Sequence, residues 1–300
     1  MAIETVDSWR ALDDALGDKS WCHGGQVHPA TVFRGLARST YRNIHSLARL
    51  NGDFAQLEPH LLRSFRKYAH RHSPGLSTWD WLSLAQHHGL PTRLLDWTHS
   101  PLVALHFATA GRRGEDAMLW EVDCAAVHER LPDRLLGPLR DEGARVFTTE
   151  LLDELAPDLT ALDELGAGDP FLVFFEPPSL DERIVNQAAV LSVASAPTLQ
   201  VEDWLLDHPE VWRAWRIPPH VKDEIRARLD QANFTERVLL PGLDGLAAWL
   251  RRYYSPQDPV SEDDGTGESE ISANRGGSGG ASMAEPPSDG AGERMRDDQP

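Results

Sequence analysis

Arg93 and Asp96 stand inside "QHHGLPTRLLDWTHSPLVALHFA" (residues 86–108), a stretch otherwise apolar enough to be buried. Ionised groups in such a setting need partners or a ligand, because an unpaired buried charge is costly. Alternation along an extended "TRLLDW" puts Arg93, Leu95 and Trp97 on one face and Thr92, Leu94 and Asp96 on the other, so the two charges do not pair across one face. For Asp96 two readings stay open. It caps the helix that begins near Ser100 or holds Arg34, or it touches a ligand. Arg34 and Gly35 close the apolar run "ATVFRG". There the planar guanidinium offers paired donors to an anion and glycine lets a ligand approach the backbone, with an edge arginine and a turn glycine as the plain alternative. In "LDERIVNQAAVLSV" Arg183 and Gln187 share a helical face at i, i+4, with Glu182 a little to the side. A carboxylate or carboxamide there could hold a ribose hydroxyl or steady a developing cation; a surface ion pair is the alternative. His87 and His88, like His70 and His72, lack further ligands at metal spacing, so no metal site is expected. Histidines near the negative pole of a helix end are the expected arrangement.

These residues must be positioned by a mixture of helices and short strands. Helices are predicted at Val6–Leu16, Gly52–His72, Thr78–His88, Ser100–Thr109, Thr149–Leu165, Pro219–Ala232 and Leu243–Tyr253. Ser77 or Thr78 caps the third of these and Gly89 stops it; Ser100 caps the fourth, with Pro101 at its first helical position. Strands are predicted at "ATVFRG", "TRLLDW", "AMLWEVD", "FLVFFEPP", "AAVLSVA", "WRAWRIP" and "RVLL". The elements do not follow a regular βαβ period, so the expected class is α+β: one domain with a small mixed or antiparallel sheet flanked by helices. The dinucleotide-binding, P-loop and zincin signatures are absent.

The 300 residues suffice for a sizeable core. No run of eighteen apolar residues suggests a transmembrane helix, and "MAIETVDSWRALDD" does not read as a secretory signal. Two cysteines, Cys22 and Cys124, read as reduced thiols in a cytoplasmic protein. The net charge of -18 opposes non-specific binding to nucleic-acid backbones. A local basic stretch, "LLRSFRKYAHRH" (61–72), reads first as a solvated helix face. From Ser255 onward the chain has almost no large apolar residues; 255–300 is expected to be a disordered acidic tail and 1–254 the folded domain.

"FRG" at 33–35, "QHHGLPTRLLDWTHSPLVALHFA" at 86–108 and "ERIVNQAAVLSV" at 182–193 resemble the successive motifs of the FRG domain, and the segment from "WRIPPHV" to "LAAWL" resembles its closing portion. On that resemblance the domain would run from about Val6 to Tyr253. The family usually carries glycine after the late glutamine and one more residue, where this chain has Ala188–Ala189. The motif layout is in turn similar to the ADP-ribosyltransferase plan. That similarity implies an ADP-ribosyltransferase-like core and NAD as substrate, with no metal. Arg34 and Gly35 would form the first motif and Thr92 to Ser100 the second. Gln187, or Glu182 just upstream, would be the third. The resemblance would make Arg34, Gln187 and Glu182 catalytic. Arg34, Gly35, Thr92, Arg93, Asp96, Trp97, Ser100 and His88 would line the nucleotide site, with Trp97 or His88 packing on nicotinamide or adenine. It implies transfer to an unidentified macromolecular acceptor, protein or nucleic acid, as a toxin or phage-defence effector would perform. The alternatives are a non-catalytic nucleotide- or ADP-ribose-binding module and a structural interaction protein.

Overall fold

The computed structural model describes residues 3–17, 30–50, 53–69, 75–111, 114–179 and 181–255. The expected tail and its boundary, Cys22, His70 and His72 therefore lie outside or at the edge of the described residues. Eight strands form one mixed sheet: β1 (Glu4–Thr5), β2 (Thr31–Leu36), β3 (Leu95–Thr98), β4 (Ala117–Asp123), β5 (Phe147–Thr148), β6 (Leu172–Glu176), β7 (Ala189–Ala194) and β8 (Trp212–Ile217). Their order is β1-β8-β4-β2-β3-β7-β6-β5. The outermost pairs, β1 with β8 and β5 with β6, are parallel and the rest antiparallel.

The helices lie between and over these strands: α1 (Trp9–Gly17), α2 (Phe54–Ala69), α3 (Thr78–His87), α4 (Pro101–Thr109), α5 (Cys124–His128), α6 (Asp133–Asp141) and α7 (Thr149–Leu155), then α8 (Leu159–Leu165), α9 (Glu182–Asn186), α10 (Val201–Asp207), α11 (Pro219–Gln231), α12 (Glu236–Leu239) and α13 (Leu243–Tyr254). The class is α+β, as the sequence implies, with a larger sheet than expected. Two readings are corrected. "RVLL" is not a strand: Arg237 to Leu239 lie within α12 and Leu240 is its C-cap, because α12 packs against α13 and α9 rather than at a sheet edge. The acidic helix expected over Thr149–Leu165 is two helices. Ala156 closes the first, and after Pro157 the Asp158 side chain caps the second by accepting from Ala161 N–H. No helix among the described residues is long and apolar enough to cross a membrane.

The centre of the sheet is where the architecture matters for function. β2 follows β4 along its whole length, from Thr31 opposite Asp123 to Leu36 opposite Met118. β3 follows β7 from Leu95 opposite Ser192 to Thr98 opposite Ala189. Between β2 and β3 the only paired residues are Phe33 and Thr98. The two halves of the sheet touch at that point and diverge beyond it. Apolar clusters cover both faces. Val32, Trp97, Trp120 and Phe174 meet in one, Phe33, Leu105, Leu119 and Trp215 in a second, and Trp79, Leu94, Phe147 and Phe175 in a third.

Helix α4 covers β2 closely because position 35 has no side chain. A Cβ on Gly35 would stand 1.8 Å from the carbonyl oxygen of Ala104. Gly35 thus sets the helix–strand distance, in addition to any room it leaves for a ligand. Gly35→Ala is expected to destabilise the fold by about 2 kcal/mol or more through overpacking, read as a lower urea midpoint at unchanged slope.

Three buried histidines act as neutral hydrogen-bonding nodes. His128 joins α5 to β6: its Nδ1 donates to Arg145 O (2.9 Å) and its Nε2 accepts from Phe174 N–H (2.9 Å). Burial lowers His128 to a pKa of about 4; His45 and His106 are lowered to about 4 chiefly by burial, His106 also by the Arg226 charge. Their folded values lie below the unfolded value, so in the window between the two the unfolded chain binds more protons. The stability they contribute is complete above about pH 6.5 and is lost as pH falls toward 4. Denaturant unfolding between pH 7 and 4.5 should show stability falling with pH. His128→Gln, which keeps a donor and an acceptor without titrating, should flatten that slope.

Candidate functional site

The diverging strands open a cleft of about 260 Å³. Arg34 and Gly35 on β2 form one wall, Asp96, Trp97 and Thr98 on β3 a second, and Val103, Ala104 and Phe107 on α4 a third. Arg183 of α9 and Gln187, its C-cap residue, complete the lining. Segments far apart in the chain therefore meet at one place, and the i, i+4 face read from the sequence is the face that α9 turns to the cleft.

Arg34 spans the gap between the strands. Its Nη1 donates to the Asp96 carbonyl oxygen, while its Nε is enclosed without a hydrogen-bond partner. Burial pushes its pKa down from the ordinary arginine value; the Asp96 charge opposes that shift and the Arg49 charge adds to it. Neither Arg34 nor Arg183 has a carboxylate ion-pair partner among the described residues. By contrast Arg252 is held by Asp230 and Glu236, and Arg213 by Glu121. Two guanidiniums without an ion-pair partner among the described residues, sharing a concave site with a single carboxylate, make it receptive to an anion such as a phosphate.

The β3 wall is fixed by polar side chains. Thr98 Oγ1 donates to Gln187 O (2.6 Å), tying β3 to the end of α9. Gln187 Nε2 donates to Leu239 O (2.8 Å), so its carboxamide is anchored on α12. Ala188, next in the chain, has φ +44°, a left-handed backbone that favours glycine and costs a residue with Cβ about 1–2 kcal/mol. The chain accepts this strain at the turn from α9 into β7. Helix α9 is held at its other end by Asp181, whose Oδ1 caps Ile184 N–H and whose Oδ2 lies 2.6 Å from His87 Nε2.

Several expected site residues lie elsewhere. Arg93 is the clearest correction: its side chain is 3% exposed and does not line the cleft. Its Nε donates to both oxygens of the buried Glu58 (2.9 and 2.7 Å), and its other nitrogens reach Asp163 and Ala194 O. Burial acts against this charge, but the bonds to Glu58 and Asp163 hold its pKa above the ordinary value. Thr92 is buried, its hydroxyl donating to Gln86 Oε1 (2.6 Å). Ser100 is the N-cap of α4, accepting from Val103 N–H (3.3 Å). His88 is an exposed C-cap whose ring tilts against Phe65. Glu182 is exposed in the first turn of α9, outside the lining. Trp97 borders the cleft, but its indole is buried with Nε1–H on Ser192 Oγ (2.9 Å), which leaves no open face for a ligand ring. Phe107, half-buried on α4, is the accessible aromatic wall, and sequence reasoning did not single it out.

An α+β fold with a polar, arginine-bearing cleft at a divided central sheet is thus defined. The FRG domain family model matches residues 29–117. The matched segment includes β2 to α4, and with them Arg34, Gly35, Asp96 and Thr98. The late motif with Arg183 and Gln187, and the closing segment to Tyr253, lie beyond it. No curated protein and no solved structure matches the chain.

The Arg93–Glu58 pair predicts a stability effect separate from any ligand. Arg93→Met leaves Glu58 buried without its partner and should cost about 3–5 kcal/mol. Glu58→Gln/Arg93→Met together should recover part of that loss in a double-mutant cycle of denaturant unfolding.

Proposed function

We propose that the cleft binds NAD and cleaves its nicotinamide–ribose bond, as the resemblance of the motif layout to ADP-ribosyltransferases implies. The observation that carries this reading is that Arg34 and Gln187, from distant segments, line one cleft with Asp96 between them. Arg34 and Arg183 suit the diphosphate, and Phe107 offers an aromatic face to a flat heterocycle. The cleft volume is slightly below the usual ligand-pocket range of roughly 300–1,000 Å³. It therefore suits the nicotinamide riboside end, with the remainder extending outward. In the reaction the C1′–N bond breaks and its electron pair passes to the nicotinamide nitrogen, which leaves neutral. The ribosyl cation is captured by water or an acceptor nucleophile, which loses a proton. Positioning and charge stabilisation would supply the rate enhancement.

A second reading is favoured by one bond. Gln187 stands where a carboxylate would serve the chemistry, and its amide is engaged with Leu239 O. A domain that binds NAD or ADP-ribose without cleaving it and so regulates a partner would be built this way.

Incubation with NAD labelled in the nicotinamide ring separates the two readings. The enzymatic reading expects nicotinamide release that falls at least about tenfold in Arg34→Ala and in Gln187→Ala, with melting temperature followed in parallel. Ligand-dependent thermal stabilisation without release supports the binding module instead. Folded protein showing neither would remove both.

A further inference from the structure

Resting on the nucleotide reading above, we propose that the cleft selects the positive charge of the oxidised nicotinamide ring. Asp96 is the counter-charge, and Gln86 is the positioning residue that holds its carboxylate. Asp96 is the one acid among the described lining residues, and it is the exposed member of β3 between the buried Leu95 and Trp97. Its main-chain oxygen is taken by Arg34, and its side chain is oriented separately. Gln86, in the last turn of α3, donates from Nε2 to Asp96 Oδ2 at 2.9 Å.

The orientation of the Gln86 amide follows from its neighbours. An ionised carboxylate only accepts, so the amide NH2 must face Asp96 and the amide oxygen must face away. On that side the Thr92 hydroxyl donates to Gln86 Oε1 at 2.6 Å, and the same Oγ1 accepts from Leu94 N–H at 3.1 Å. Thr92 is in turn fixed by Ser46, whose Oγ accepts from Thr92 N–H at 3.1 Å. The relay Ser46–Thr92–Gln86–Asp96 runs from the short 3-10 turn Ser46–Arg49 to the cleft wall with each donor matched to an acceptor. Its last member is a carboxylate held in place rather than a freely rotating surface acid. The cleft therefore presents two guanidiniums that have no ion-pair partner among the described residues and one fixed carboxylate. A ligand that fits this pattern has an anionic portion and a cationic ring. Oxidised NAD has both, whereas the reduced form has a neutral ring on the same scaffold. A nucleoside, or a nucleotide whose base is neutral, offers the Asp96 carboxylate no positive charge.

The test uses the full chain and carbocyclic NAD, whose ring–nitrogen bond does not cleave, in its oxidised and reduced forms. Titration calorimetry gives the ratio of their affinities. Wild type should bind the oxidised form roughly tenfold more tightly, the size of one partly solvated charge pair. Asp96→Asn should bring the ratio near one without weakening the reduced form. Gln86→Leu should give an intermediate ratio, since the charge stays but is no longer held. A merely structural role for Gln86 would instead weaken both forms alike and leave the ratio at the wild-type value, which would overturn its assignment. Equal binding of the two forms by wild type would overturn the charge selection and leave the nucleotide reading standing. Binding of neither form by folded protein would remove that reading, and this proposal with it. Melting curves of each variant establish that the ratio is measured on native protein.

Discussion

The Arg34 guanidinium donating to the Asp96 carbonyl across the gap between β2 and β3 is the contact on which the site depends. Strand backbone removed from its neighbour leaves donors and acceptors that need other partners. Beyond the Phe33–Thr98 pair the two central strands no longer supply each other's. A side chain from β2 makes up one of these lost bonds while bringing a positive charge into the opening. The same arrangement explains why the sheet can divide at all. Each half has its own partners, β4 and β8 on one side and β7 and β6 on the other, and apolar residues cover both.

Around that opening the supporting elements are tied at both ends. Gly35 lets α4 lie directly on β2, which brings Val103, Ala104 and Phe107 up to the cleft as its third wall. Helix α9 is too short to hold its place by its own hydrogen bonds, since a helix of one turn or so is marginal alone. Asp181 with His87 secures its start, and Gln187 with Leu239 O secures its end. The strained Ala188 then turns the chain directly into β7, which keeps Gln187 at the cleft. Arg93 serves the same end from below. Buried with Glu58 and Asp163, it joins α2 and α8 to the segment leading into β3.

Much of this was legible in the sequence. The helix expected over Thr78–His88, with Ser77 one of its two expected caps, the Ser100 cap with Pro101 and the strand at "FRG" follow from local rules that act within a few residues. The strand expected as "TRLLDW", by contrast, begins only at Leu95. The i, i+4 face of Arg183 and Gln187 was readable for the same reason. The break of the acidic helix at Pro157 was also written in the chain, as a proline followed by an aspartate cap. Arg93 was not readable. Nothing near it in sequence distinguishes a cleft arginine from a buried one, and its partners lie 35 and 70 residues away. Gln86 and Phe107 escaped notice because a glutamine in a helix's last turn and a phenylalanine in a largely buried helix carry no local mark of function. "RVLL" has strand composition and became a helix through its packing.

The sequence by itself determined the α+β class, most element positions and the residue types able to meet a charged nucleotide, because periodicity, caps and polarity are local properties. Only the tertiary structure decided which charges are satisfied. Arg93 finds carboxylates and becomes part of the core, while Arg34 and Arg183 form no ion pair among the described residues and line the cleft. That sorting depends on which distant segments arrive beside each guanidinium, since a buried charge is stable only where an opposite charge or a donor–acceptor set surrounds it.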